Sequence, residues 1–279
     1  MSSPDEPVVL LNGQQAGADA LRVLAQSNYG HFTSLQVRGG AVQGLDMHLD
    51  RLRQGNAELF DAGLDAGAVL GWMRQAALAR GGDCSMRVTL FSRRFDHRQP
   101  LRPVAVDVLV AASAPLVPAA APLRLQTRCF VRPVPQLKHV GTFPLSHHRR
   151  QALKAGFDDA LFVDGEGPGA AVSEGSFWNI GFWDGDQVVW PQAPALRGTS
   201  ERLLQQGLAQ AGIAQVVRPV TRAGLGDFLA AFATNANGVQ PVASIDRIGY
   251  AAAAQDALLA LLADAGGRAP WEPLVGAAG

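Results

Sequence analysis

The stretch Gln136-Leu137-Lys138-His139-Val140-Gly141 carries one of the two lysines of the chain, Lys138 and Lys154, although Lys and Arg together number 24. Arginine stays protonated in proteins, whereas a desolvated lysine amine can lose its proton and attack a carbonyl carbon. Lys138 follows the proline-rich extended stretch Val131–Pro135 and has apolar neighbours, so we expect its side chain to point into a cleft. Lys154 lies in a polar, helix-like run, where we expect a surface charge. For Lys138 two interpretations are open at this point: its side chain is a reactive amine, or it is a second surface charge.

The composition bounds the class of protein. With 279 residues, of which 48% are hydrophobic, the chain can build one large domain or two smaller ones with a real core. A net charge of zero and a pI near 7.0 argue against nucleic acid and membrane surfaces as partners. Two cysteines, Cys84 and Cys129, without a CxxC motif favour a reduced, cytoplasmic protein. We see no signal peptide, no apolar run long enough to cross a bilayer, and no metal site.

Strand-like and helix-like hydrophobic patterns alternate along the chain without an internal repeat, which predicts an α+β fold. Asn12-Gly13 predicts a hairpin after the first strand, and Asp46 is the predicted N-cap of the second helix. The predicted strands are Val8–Leu11, Gly30–Arg38, Ser85–Phe91, Val104–Ala111, Leu123–Phe130, Asp159–Val163, Ser176–Trp183, Gln187–Trp190, Val216–Val220 and Leu229–Thr234. The predicted helices are Ala18–Gln26, Asp46–Phe60, Val69–Leu78, His147–Ala155, Glu201–Ala211 and Ala251–Ala263.

A low-charge segment rich in proline, Ala112–Pro122, is the best linker candidate. We therefore predict a small N-terminal α/β domain at residues 1–114, a linker at 115–122, and a larger C-terminal domain at 123–279.

Four further motifs carry groups suited to chemistry. Each alone has an ordinary structural interpretation as a turn carboxylate, a helix cap, a polar turn or a helix-face charge. Together with a reactive lysine, however, they supply a lone carboxylate, a helix N-terminus for a phosphate and an arginine, which is what pyridoxal 5′-phosphate (PLP) needs. The motifs are Ser173-Glu174-Gly175-Ser176-Phe177-Trp178-Asn179, Gly198-Thr199-Ser200, Thr234-Asn235-Ala236-Asn237-Gly238 and His48-Leu49-Asp50-Arg51-Leu52.

The order and spacing of these motifs resemble the class IV aminotransferases, the fold-type IV PLP enzymes, from about Tyr29 to Val242. That family includes branched-chain and D-amino-acid aminotransferases, R-selective amine transaminases and aminodeoxychorismate lyase. The matching segments are His48–Leu52, Lys138 followed by Gly156-Phe157-Asp158-Asp159, Ser173–Asn179, Leu196–Glu201 and Gln240-Pro241-Val242.

The resemblance implies a two-domain fold with the cofactor between the domains, and it assigns roles. Lys138 would hold PLP as an aldimine and shuttle a proton, and Glu174 would face the pyridine nitrogen. The phosphate and the rest of the cofactor would be held by Arg51, Asn179, Gly198, Thr199, Ser200, Thr234 and Asn235. On the substrate side the resemblance points to Phe32 and Ala236.

The chain departs from the family mainly in its substrate-side residues. The family motif before the first active-site strand is reduced to Asn28-Tyr29-Gly30-His31, and the arginine that usually follows Gly-Ile-Thr is Glu201. The basic loop Ser92–Arg98 lies where the D-amino-acid branch traps a carboxylate. Two interpretations are open for it, a substrate trap formed by Arg94, His97 and Arg98, and a solvated turn.

The resemblance therefore predicts a PLP-dependent transaminase that moves an amino group between a small amino acid or amine and a 2-keto acid. The alternatives are a lyase of the aminodeoxychorismate type, suggested by Lys138-His139 and Phe32-Thr33, and a non-catalytic paralogue with a binding role. The family also implies a homodimer.

Overall fold

The computed structural model describes residues 6–275, apart from the side chains of residues 19 and 20. Helices and strands alternate through it, so the fold is α+β, as predicted. The helices are α1 (Ala18–Gln26), α2 (Leu45–Phe60), α3 (Ala66–Arg80), α4 (Phe143–Lys154), α5 (Thr199–Gln210) and α6 (Ala252–Gly267). The strands are β1 (Val8–Leu11), β2 (Gln14–Gln15), β3 (Gly30–Val37), β4 (Ala41–Gln43), β5 (Cys84–Phe91), β6 (Asp107–Ser113), β7 (Leu123–Cys129), β8 (Asp159–Asp164), β9 (Ala171–Gly175), β10 (Asn179–Trp183), β11 (Val188–Pro191), β12 (Gln215–Arg218), β13 (Ala230–Asn235), β14 (Gly238–Ile245), β15 (Ile248–Gly249) and β16 (Trp271–Pro273).

The chain folds into two compact units. The first unit comprises the described residues up to Leu116, the short segment Leu137–Gly141 and the described residues from Pro270 onward. The second comprises Val117–Gln136 and Thr142–Ala269. The chain thus enters the first unit three times, and one of these passages carries Lys138.

The first unit is built on a five-stranded sheet in the order β2-β1-β6-β5-β3. Strands β3 and β5 pair antiparallel over their whole length, from Gly30 opposite Phe91 to Val37 opposite Cys84. Because side chains alternate along a strand, one face carries Leu35, Val37 and their partners, which pack in a core with α2 and α3. Phe32, Ser34 and their partners on β5 lie on the opposite face.

Helix α2 begins one residue before the predicted cap. Its N-cap is Gly44, in a left-handed conformation with φ of 63°, and Asp46 lies in the first turn without capping. The first backbone amide of the helix, at Leu45, instead donates a hydrogen bond to Glu272 Oε1 at 2.9 Å. A carboxylate 227 residues away thus takes the role that the sequence assigned to a local one.

His31, on β3, is almost fully buried in this unit, with 1% of its surface exposed. Burial lowers the pKa of its imidazole from 6.5 to about 4, opposed by the Asn56 side chain. The unfolded chain therefore binds a proton near pH 6.5 that the folded chain excludes until about pH 4. The resulting stability is fully present above pH 6.5 and is lost as the pH falls toward 4.

When the pH is lowered from 7 to 4.5, we expect the free energy of unfolding to fall by about 2 kcal/mol less in His31→Gln than in the wild type. Urea denaturation at the two pH values measures this difference. The exposed His97 provides the matched control, since His97→Gln should retain the wild-type acid sensitivity. Equal acid sensitivity of His31→Gln and the wild type would contradict the burial argument.

The second unit is built on a larger sheet, along which the strands follow the order β12-β11-β10-β13-β14-β7-β8-β9, with β15 beside β14. Strands β14–β7 and β7–β8 pair parallel, with antiparallel pairs on either side of them, and β11–β12 at one edge is also a parallel pair. Helices α5 and α6 cover one face, where Phe232 and Trp190 are buried. The other face packs a separate core that includes Leu125, Ile180 and Val242.

The predicted strand Ser176–Trp183 was wrong in its first three residues. The chain ends β9 at Gly175 and starts β10 only at Asn179. Between them, the buried carboxylate of Asp159 accepts hydrogen bonds from Ser176 Oγ at 2.6 Å and Trp178 Nε1 at 3.0 Å. These bonds hold the residues in a tight turn, which separates Glu174 on β9 from Asn179 on β10.

Candidate active site

The Lys138 segment forms an additional edge strand beside β3 in the first unit. The Phe32 N–H donates to Lys138 O, and the Val140 N–H donates to Gly30 O, both at 2.9 Å. His139 lies opposite His31 in an isolated antiparallel bridge. Two main-chain hydrogen bonds therefore hold the segment around Lys138 against β3. Lys154, in contrast, has an exposed side chain at the end of α4.

Phe32 provides a ring between two cationic side chains of the first unit. Its ring centroid is 3.5 Å from Arg87 Cζ and 5.1 Å from Lys138 Nζ. Arg87 lies on the same sheet face as Phe32, because its partner across the strands is Ser34. Its Nε donates to Thr89 Oγ1 at 3.3 Å, and desolvation lowers the pKa of the guanidinium. The described residues include no carboxylate in an ion pair with Arg87, so this guanidinium is available to an anionic ligand.

His48 and Arg51 lie one turn apart on α2, as the motif predicted. The Thr33 hydroxyl on β3 contacts His48 Nδ1 at 2.6 Å, and both side chains are buried. Burial lowers the pKa of His48 to about 3, with smaller contributions from the charges of Arg51 and Lys138. His48 is therefore neutral at physiological pH and adds no positive charge beside these two cations.

The basic loop Ser92–Arg98 exposes Arg94, His97 and Arg98. Its neighbour Arg93 binds both oxygens of Asp107, at 2.9 and 3.1 Å, and Phe95 stacks on Tyr29 with centroids 4.0 Å apart. The loop thus has its own internal supports, whereas its three proposed substrate ligands face solvent. Arg87, which the sequence motifs did not single out, is also exposed, but it lies beside Phe32.

Glu174 is buried in the second unit and is held by an arginine that the sequence motifs did not reveal. Arg132 donates from Nε to Glu174 Oε1 at 2.7 Å and from its terminal nitrogen Nη2 to Oε2 at 3.3 Å. The side chains are 5% and 3% exposed. A single arginine in the proline-rich stretch before Lys138 was the available signal, but nothing local links it to a carboxylate 42 residues later.

Asn179 joins the sheet of the second unit to the start of α5. It lies opposite Thr234 on the neighbouring strand. Its side chain donates to Leu196 O at 2.6 Å and accepts from the Gly198 N–H at 3.2 Å. A Cβ at position 198 would lie 2.3 Å from Asn179 Oδ1, so only glycine permits this approach. Within the second unit, Asn179 thus brings Gly198 and Thr234 together.

The start of α5 fits a phosphate. Thr199 and Ser200 occupy the first turn, where backbone N–H groups lack helical partners and the dipole favours an anion. The hydroxyls of Thr199 and Thr234 are buried, and neither has a hydrogen-bond partner within the described residues. Two unsatisfied hydroxyls beside a helix start are the donors that a phosphate oxygen requires.

Asn235 and Ala236 lie at the end of β13 and in the following turn. Asn235 Oδ1 accepts from the Asn237 N–H at 2.8 Å and so shapes the turn. Thr234 and Asn235 also line a cavity of about 190 Å³ together with Phe177, Arg149 and other residues of the second unit.

Glu201 stands where the family has an arginine, and it is buried with 1% exposure. Arg197 Nη1 donates to Glu201 Oε1 at 3.1 Å, and Nη2 donates to the carbonyls of Pro191 and Ala193. Burial raises the pKa of the Glu201 carboxyl, and the charge of Glu174 adds to this, while Arg197 opposes it. A glutamate thus stands at the position of the family's arginine. Its ion pair with Arg197 ties the loop before α5 to the first turn of that helix.

A buried carboxylate, a phosphate-ready helix start and a lysine fixed on a strand are the elements of a PLP enzyme. The sequence matches the family model of amino-transferase class IV over residues 30–245, and the chain belongs to that family. The cofactor is therefore PLP, and the protein is an aminotransferase.

Solved structures share the fold. The branched-chain amino acid aminotransferase of Thermus thermophilus (T.th.), complexed with N-(5′-phosphopyridoxyl)-L-glutamate, is similar with a TM-score of 0.79 at 20% identity, covering 94% of this chain and 95% of the other. The branched-chain amino acid aminotransferase of Escherichia coli gives a TM-score of 0.77 at 16% identity, with coverages of 94% and 96%.

A hypothetical aminotransferase from Mycobacterium tuberculosis in its PLP-bound form gives a TM-score of 0.75 at 20% identity, with coverages of 93% and 98%. A search of curated proteins found no significant match. Within residues 6–275, no helix has the length and apolar character needed to cross a membrane.

Proposed function

We propose that this aminotransferase moves an amino group between a small amino acid and a 2-keto acid, with Lys138 as the residue that binds the cofactor covalently. The observation that carries the proposal is the placement of the Lys138 amine beside Phe32, together with Arg87 on the same ring. An amine can serve as nucleophile and proton carrier, and a guanidinium can bind the substrate carboxylate. Because the similar structures include branched-chain amino acid aminotransferases, we propose branched-chain amino acids as the donors.

The other residues divide the remaining work in this proposal. Bound PLP supplies an electron sink that stabilises negative charge at the substrate α-carbon. Glu174 holds a proton at the ring nitrogen. The amides of Thr199 and Ser200 and the hydroxyls of Thr199 and Thr234 would hold the phosphate, with Asn179 and Gly198 shaping the turn and Asn235 beside it. Arg51 would supply a positive charge to the same phosphate. The Lys138 amine would accept the proton from the substrate α-carbon and return it.

A donor panel tests the proposal directly. Purified protein loaded with PLP is mixed with branched-chain and other L-amino acids, D-amino acids, R-amines and aminodeoxychorismate, without an acceptor. An amino donor should convert the absorbance of bound PLP to that of pyridoxamine phosphate and release the corresponding keto acid. Addition of a 2-keto acid should then restore the first spectrum. A protein that binds PLP but is converted by no donor would be the non-catalytic paralogue instead.

We expect Arg87→Met to raise KM for amino-acid donors by about 10- to 100-fold and to change KM for simple amines little. The reason is that a bidentate arginine–carboxylate pair contributes a few kcal/mol, and an amine without a carboxylate does not form it. Steady-state kinetics with an amino acid and its decarboxylated amine measure the difference.

The matched controls for Arg87 are Arg94→Met, His97→Gln and Arg98→Met in the exposed basic loop. If these loop variants discriminate between amino acid and amine and Arg87→Met does not, the loop is the carboxylate trap and Arg87 is structural.

The lyase of the aminodeoxychorismate type is the second candidate. Its supporting observation is that both short matches, Lys138-His139 and Phe32-Thr33, lie on hydrogen-bonded neighbouring strands. Elimination releases an aromatic amine without forming pyridoxamine phosphate, so the same panel separates the two reactions. We further propose a homodimer in the cytoplasm. Sedimentation equilibrium and cell fractionation measure these two properties.

A further inference from the structure

We propose that Arg132 is a positioning residue that keeps Glu174 ionised and aimed at the ring nitrogen of the cofactor. The inference rests on the proposed function, since it concerns the same site. Arg132 belongs neither to the matched family motifs nor to the residues assigned above to cofactor or substrate. Its role is inferred from its contacts within the second unit alone.

The geometry of the pair is the first support for this role. Arg132 presents two N–H groups to the two oxygens of one carboxylate, at 2.7 and 3.3 Å, and both side chains lie below the surface. Arg124 and Asp158 form a pair of the same kind, at 3.0 and 2.9 Å, but their side chains are 57% and 36% exposed. The two pairs thus differ in burial rather than in bonding pattern. Water therefore screens the exposed pair much more strongly than the buried one.

The cost of burying a charge is the second support. A carboxylate removed from water without a cationic partner is destabilised strongly enough to take up a proton. A guanidinium does not give up its proton, so Arg132 supplies a permanent positive charge beside Glu174. It occupies two of the roughly four acceptor positions of the carboxylate and leaves others for the ring nitrogen. The rigid fork also fixes the plane in which the remaining positions lie.

The carboxyl group of Glu201 is the third support. It also lies in the second unit, buried in the first turn of α5. Burial favours its neutral form, and the charge of Glu174 adds to that effect. Each of the two buried carboxylates thus has its own arginine: Arg132 contacts Glu174, and Arg197 contacts Glu201.

The proposal predicts that Arg132→Met resembles Glu174→Gln. Without the guanidinium, Glu174 should take up a proton, and the ring nitrogen should lose its anionic partner. We expect kcat to fall by roughly 10²-fold or more, with a changed dependence of the bound-PLP absorbance on pH. The double variant Arg132→Met/Glu174→Gln should be no slower than Glu174→Gln, because both changes remove one and the same effect. Arg132→Lys, which retains the charge without the fork, should fall between the wild type and Arg132→Met.

The experiment measures PLP affinity, the absorbance of bound PLP from pH 5 to about 10, and kcat for these variants and for the matched control Arg124→Met. The control should retain the wild-type spectrum and kcat. If Arg132→Met does not fold, the double variant provides the test, because neither position then holds a buried charge. The double variant should fold and should show the absorbance spectrum of Glu174→Gln. A wild-type absorbance profile in Arg132→Met, or effects that multiply in the double variant, would overturn the proposal.

Failure of the proposed function is a separate result. In that case the wild type itself would carry no PLP on Lys138, whatever the behaviour of Arg132→Met.

Discussion

Replacement of Lys138 by alanine should abolish covalent attachment of PLP and reduce turnover to background. Replacement by arginine should have the same result, because a guanidinium cannot form the covalent bond to the cofactor or carry the proton. The change removes both the nucleophile and the proton carrier, so we expect a rate loss of at least ~10⁴-fold. Borohydride reduction of the wild type, followed by peptide mass mapping, should find a pyridoxyl group on the peptide that contains Lys138.

Lys154 is the natural control, as the other lysine of the chain. Its side chain is exposed at the end of α4, and Lys154→Ala should retain the label, the spectrum and the activity. A label on Lys154, or full turnover in Lys138→Ala, would remove the basis of the proposed function. Because the Lys138 backbone pairs with β3 through main-chain groups only, the alanine variant should keep the wild-type fold.

Glu174→Gln should leave PLP bound but reduce turnover by roughly 10²–10³-fold. The amide has nearly the shape of the carboxylate and can still accept a bond from Arg132, but it carries no charge to balance a protonated ring nitrogen. Single-turnover measurements with a good donor separate this loss from changes in substrate binding. Near wild-type turnover would mean that the ring nitrogen has another partner.

A control for Glu174 comes from Asp159, another buried carboxylate of the second unit. Asp159 accepts hydrogen bonds from Ser176, Trp178 and the Ala160 N–H. Asp159→Asn should lower stability without changing the absorbance of bound PLP that is protonated at its ring nitrogen. Equal spectral changes in the two variants would indicate a general loss of structure around the turn rather than a specific role for Glu174.

Much of the fold could be predicted because local signals were consistent. Helix α1 has the predicted bounds, Ala18–Gln26. The hairpin at Asn12-Gly13 is confirmed, with both residues at positive φ. Helix α5 was predicted at Glu201–Ala211 and is found at Thr199–Gln210, with Gly198 as its N-cap. In each case the residues that decide the structure are neighbours in the sequence.

The sequence-based predictions were wrong or incomplete where residues far apart in the sequence determine the local structure. Strand β14 contains Pro241, a residue that usually argues against a strand inside a sheet, yet Pro241 lies opposite Phe232 in the register. The turn after Gly175 depends on Asp159, and the start of α2 depends on Glu272. Likewise, the sequence did not identify Arg132 as the partner of Glu174, because a salt bridge between distant segments produces no periodic pattern in the sequence. The prediction of the domain limits 1–114 and 123–279 stays a prediction.

The path of the chain through its two compact units has a consequence for recombination between relatives. A single crossover in the loop near Leu116 would exchange the second half of the sequence and carry the Lys138 segment with it. The grafted edge strand would then have to pair with a β3 that came from the other parent, and β16 with a foreign β4. Modular exchange that respects the units requires crossovers on both sides of Leu137–Gly141 and another before Pro270.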